Sequence, residues 1–235
     1  LALSGWPEDF AMLPSPRLMI RLSHPCPYVA DMPCNLDDPA AELLQLPDSG
    51  KVQDHAELEQ KRTYADIRLG WNEKGLGVQL TVRGKRQPLQ GDQERPGSCD
   101  GLHLWLATRP VGSSRRATRY CHHFILLATG CGPERDQPGI VAQRIPRALQ
   151  EAPLPHTELC QVRRHMLRQP EGHDYRLQAF LPAPALPGYD PDESPHLGFF
   201  YLVRDHEWGD QFLALDWNFP IGEDPALWDQ LELVR

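Results

Sequence analysis

The closing sixty residues, 175–234, are built from segments whose apolar positions recur with a period of two. This restricts the fold more than any other feature of the chain. In YRLQAFLPAPAL (175–186), Tyr175, Leu177, Ala179 and Leu181 fall on one face, with Arg176, Gln178 and Phe180 on the other. Side chains alternate across a strand but recur at about 3.6 residues on a helix, so the pattern predicts strands with one face in a core. HLGFFYLVRDHEWGDQFLALDWN (196–218) and LELV (231–234) continue it.

The 24 prolines and 18 glycines among 235 residues point the same way. Proline lacks a backbone donor and fits poorly inside helices and central strands, so it gathers in turns, edges and long connections. The best helical segment is AAELLQLP (40–47), introduced by Asp37, Asp38 and Pro39. A first strand is expected at 17–23, followed by a proline-broken passage into that helix. ADIRLGW (65–71) and LGVQLTV (76–82) read as a hairpin turning at Asn72, Glu73, Lys74 and Gly75. A loop over 83–99 is long enough to carry function. Further strands are expected at 100–109, 119–128, 139–145 and 159–168. The prediction is an all-β chain, a single antiparallel β-sandwich of jelly-roll type over 1–235. Within it, 17–48 supplies an opening strand and short helix, and 64–235 the main sandwich.

A net charge of −8 argues against nucleic acid, whose backbone demands a basic footprint. No apolar run approaches the roughly 20 residues of a membrane helix. No basic-then-apolar leader opens the sequence, which leaves the compartment open. The six cysteines (Cys26, Cys34, Cys99, Cys121, Cys131 and Cys160) contain no C-x-x-C pair and read as buried or surface thiols with one pair at most. Catalysis finds no support. Ser4, Ser113 and Ser114 lack a G-x-S-x-G setting, and Cys121 and His122 are strand neighbours that point apart.

Six segments, taken in order, resemble the family 9 carbohydrate-binding modules within the wider group of DOMON-like sandwiches. They are PCNLDDPAAEL, IRLGWNEKGLGVQLTV, DGLHLWLATR, YRLQAFLPAPAL, LGFFYLVRD and DPALWDQLEL. The resemblance implies a sandwich that binds sugar without catalysis, gripping a terminal glucose between two tryptophans. Here the positions of those tryptophans fall near Gly97 and near Gly222 and Glu223, where no tryptophan stands. The glutamate and glutamine that read hydroxyls become His103 and Leu202, and the arginine and asparagine fall between Cys121 and Ile125. The fold is implied; the usual sugar grip is not.

The candidate ligand face therefore rests on this chain's own residues: His103, Trp105, Arg109, Arg119 and one of His122 or His123, near Asp100, Cys121 and the 83–99 loop. Only one of the adjacent histidines can join that face. Trp208 is the expected exposed aromatic, while Trp71, Trp217 and Trp228 read as structural. The expected partner is a carbohydrate or another polar small molecule; the competing reading is a structural sandwich that contacts another protein domain. No cofactor is expected, with zinc, calcium or haem as the alternatives. Zinc would use Cys99, His103, Cys121 and His122 or His123. Haem would use His165 with Met166, or His122 with Met12, Met19 or Met32.

Overall fold

The computed structural model describes residues 21–53, 63–112, 114–168 and 170–235. Among the described residues eleven strands form two sheets: β1 (Ser23–Pro27), β2 (Ala65–Asn72), β3 (Gly75–Val82), β4 (Gly101–Ala107), β5 (Cys121–Cys131), β6 (Gln137–Gln143), β7 (Gln161–Met166), β8 (Tyr175–Pro182), β9 (His196–Asp205), β10 (Gly209–Phe212) and β11 (Asp229–Val234). The larger sheet runs β1-β11-β9-β4-β5-β6, with β10 also on β9, and the smaller runs β2-β3-β8-β7. Among the described strands, β1 and β11 alone pair in parallel.

The period-two pattern explains the core. In the smaller sheet Ile67, Leu80 and Leu177 stand in one cross-strand row, Leu69, Val78 and Ala179 in the next, and Trp71, Leu76 and Leu181 in a third. All are buried, against Leu102, Leu104, Leu106, Phe124, Leu126, Phe199, Tyr201 and Val203 of the larger sheet. Each fully buried side chain of this size contributes about 1.5–3 kcal/mol. The hairpin predicted at 65–82 and the strands read from 100–109 onward are present, and 196–218 divides into the β9–β10 hairpin.

Two expectations at the start of the chain are corrected. Among the described residues of the strand expected at 17–23, Arg21 and Leu22 are not in a strand and only Ser23 is. Residues 17–20 lie outside the described residues, and β1 occupies Ser23–Pro27, inside the proline-rich passage. Pro25 and Pro27 are tolerated because β1 is an edge strand, whose outward backbone groups need no partner. Residues 40–47 form no helix. They lie extended across the outer face of the smaller sheet, where Gln178 Oε1 accepts the amides of Leu43 and Leu44 at 2.8 and 3.3 Å. Gln178 Nε2 donates to the Leu44 carbonyl at 2.8 Å. Met32, Leu43, Leu44 and Leu46 bury themselves there with Phe180. Glycine makes the room: a Cβ at Gly77 would stand 2.2 Å from the Met32 sulfur, and one at Gly70 2.8 Å from Leu46.

Candidate functional site

Residues 103 and 105 of β4 point away from the sandwich core, on the outer face of the larger sheet. Register sets Trp105 opposite His123 on one side and Phe200 on the other, and His103 opposite Leu202. Trp105 stacks on His123 with centroids 4.2 Å apart and planes 8° from parallel, and His103 Nδ1 lies 3.2 Å from His123 Nε2. These three sequence-predicted residues do come together. They are buried, however, and so do not form an open binding surface. Gly222 lies against the Trp105 ring, and buried Leu213, Leu215 and Ile221 belong to the same cluster. Burial first, and then the charge of Arg204, lowers the His103 pKa to about 4, while burial and His103 hold His123 well below the ordinary value. Both rings are neutral at physiological pH. His103 Nε2 and Trp105 Nε1 have no hydrogen-bond partner among the described residues.

The other predicted residues separate. His122 faces the opposite way, with Nε2 3.1 Å from the Pro187 carbonyl. Arg109 pairs with Glu193 at 2.7 Å and Asp190 at 3.8 Å. Arg119 is exposed and donates to the Tyr120 hydroxyl at 2.8 Å. Trp208 is half-buried and stacks on Tyr64 at 6.3 Å, so it is not the exposed aromatic.

That position belongs to Trp217, which is 52% exposed. It continues the outer face one row beyond His103 and Leu202. Arg204 stands opposite Asp210 in the β9–β10 pair and grips it as a fork, Nε to Oδ1 at 2.9 Å and Nη2 to Oδ2 at 2.8 Å. Trp217 Nε1 donates to the same Oδ2 at 2.8 Å, its ring meets the Phe212 edge at 5.7 Å, and the guanidinium lies 5.8 Å from its centroid. Burial raises the Asp210 pKa, but the hydrogen bonds from Arg204 and Trp217 outweigh it and hold the carboxyl below its usual range. Arg204 also donates to the Gly97 carbonyl, and nothing stands within 4 Å of a Cβ at Gly97. The result is a part-exposed indole anchored by a fixed ion pair beside open space. The sequence reading of Trp217 as structural is thus corrected by its exposure, and the Arg204–Asp210 fork beside it was not foreseen, although all three residues lie in the alternating tail.

The 83–99 loop is pinned rather than free. Lys85 is fully buried, with Nζ 2.9 and 2.8 Å from the Asp205 oxygens and 3.2 Å from Asp100 Oδ2. Asp100 in turn accepts the amides of Gln90 and His206.

The proposed zinc set does not assemble. Cys99 precedes β4 and clusters with Cys131, whereas Cys121 pairs with the last residue of β4, a strand's length away. No group of three or more His, Cys, Asp or Glu suited to a metal occurs among the described residues. For haem, Met12 and Met19 lie outside the described residues, His165 and Met166 are strand neighbours that point apart, and Met32 sits under the 40–47 segment away from His122.

No protein-family model and no curated protein matches the sequence. Among solved structures, the chain is similar to a carbohydrate binding module family 9 (CBM9) from Caldicellulosiruptor kristjanssonii in complex with cellotriose. That alignment has a TM-score of 0.54 and 14% identity over 90% of this chain and 93% of the other. A second CBM9 structure from the same organism, in complex with glucose, aligns at a TM-score of 0.49 and 16% identity over 74% and 79%. The first likeness establishes a CBM9-like β-sandwich.

Proposed function

We propose that this CBM9-like sandwich is a non-catalytic carbohydrate-recognition module whose contact surface is the Trp217 platform. The observation that carries the reading is the exposed Trp217 ring, held in place by the Arg204–Asp210 fork. A large aromatic surface left open beside a charged pair suits a pyranose. The sugar's C–H face packs on the indole, and its hydroxyls donate to Asp210 and accept from Arg204. Orienting the ring before binding limits the entropy that association costs. The likeness of fold to a module solved with cellotriose supports the same class of ligand. His103, Trp105 and His123 act here as a buried layer beside β9, where Trp105 meets the Phe200 ring, not as direct contacts.

The test is a glycan array on the purified protein, followed by calorimetry of the best ligand with Trp217→Ala. Binding should weaken by about tenfold or more in the variant, as for an aromatic anchor. Equal affinity of the variant, or a folded protein that binds no glycan, overturns the proposal and leaves the structural sandwich as the better reading.

A further inference from the structure

A cavity of about 300 Å³ lies between the start of β5 and the connection 144–155 that follows β6. Its apolar lining comes from Ala117, Ile145, Leu154 and the rings of Pro146, Pro153 and Pro155, with Leu154 partly exposed. The Leu149 amide donates to the Ala117 carbonyl at 2.8 Å and fixes this wall.

Two polar residues of the lining bear on what the cavity could hold. The first is His122, which is 2% exposed. A carbonyl can only accept, so Nε2 carries the proton it donates to Pro187, and Nδ1 of the neutral ring is an acceptor. Nδ1 has no donor among the described residues, although a buried polar atom without a partner is costly. Burial keeps the ring neutral by lowering its pKa. The second is Arg147, whose φ of 52° is left-handed. Following Pro146 at the turn, it occupies a place that favours glycine, and side chains held in such conformations gather at ligand clamps. Its guanidinium is exposed and reaches Glu223 only at 3.5 Å.

We propose that this cavity binds a small hydroxyaryl carboxylate. The hydroxyl donates to His122 Nδ1, the ring packs on the prolines and Leu154, and the carboxylate meets Arg147. The site is separate from the Trp217 platform and does not depend on it.

The probe is para-hydroxybenzoate, followed by NMR on the methyl groups of Ala117 and Ile145, with benzoate as the comparison. The hydroxylated acid should shift those methyls saturably, and benzoate should bind about tenfold more weakly because it leaves Nδ1 unpaired. Arg147→Gly relieves the backbone while removing the cation, so it should unfold no earlier than the parent and bind the acid more weakly. The proposal is overturned if no shift appears up to roughly 10 mM, if benzoate binds equally well, or if Arg147→Gly keeps full affinity.

Discussion

His103 and His123 tie the stability of the fold to pH. The unfolded chain protonates an imidazole near its ordinary 6.5, whereas the folded His103 resists protonation until about 4. Between those values the unfolded state binds more protons, so stability rises with pH and is lost as pH falls through the window. A displacement of this size corresponds to about 3 kcal/mol for His103, fully present above 6.5. Urea unfolding from neutral pH down to about 4 should show this loss, with a flatter profile in His103→Gln. Identical slopes in the two proteins would show that the ring is not the titrating group. The same scale explains which tryptophan is exposed. Trp208 is shielded by Tyr64 and Trp217 is not, and nothing in either local sequence reveals a contact made with a residue so far away in the chain. What was legible was the pairing of faces: the alternation in DGLHLWLATR put His103 and Trp105 together and away from Leu102, Leu104 and Leu106.

At the scale of elements, strands were legible wherever one face is buried and the period of two survives, as in β2, β3, β4 and β8. The 40–47 segment was not, because its conformation is set by Gln178, 135 residues distant, whose side chain satisfies the amides a helix would have used. The long 83–99 loop was legible as a loop but not as a fixed one. Its anchor is Lys85, whose charge is offset by two buried carboxylates at the start of β4 and the end of β9. A buried ion pair is no guarantee of net stability, yet removing one partner strands the others in a dry site and costs about 3–5 kcal/mol. Lys85→Met should therefore lower the unfolding free energy by about that amount and make the amides of 86–99 exchange faster. If the variant is as stable as the parent, the carboxylates have found another counter-charge and the loop is held by other contacts.

At the scale of the whole molecule, the order of the larger sheet joins the first described strand to the last. β1 borders β11, which stands between β1 and β9, so closing this edge brings together residues 205 positions apart in sequence, such as His24 and Asp229. Cys26 of β1 is fully buried, and the Tyr28 amide and the Trp71 indole both donate to the Val234 carbonyl. β1 thus covers an edge that otherwise presents the backbone of β11 alongside apolar Leu231 and Leu233. Exposed edges of this kind template pairing with another chain. Removing the chain through Pro27 should leave a less stable protein that self-associates with rising concentration, measurable by sedimentation velocity. Adding charge at the uncovered edge, with the exposed Gln230→Lys in the shortened chain, should restore the monomer, because a lysine there opposes edge-to-edge pairing. A shortened chain that stays monomeric at all concentrations would mean that β11 is guarded by something other than β1, and that the proline-bearing edge strand contributes packing alone.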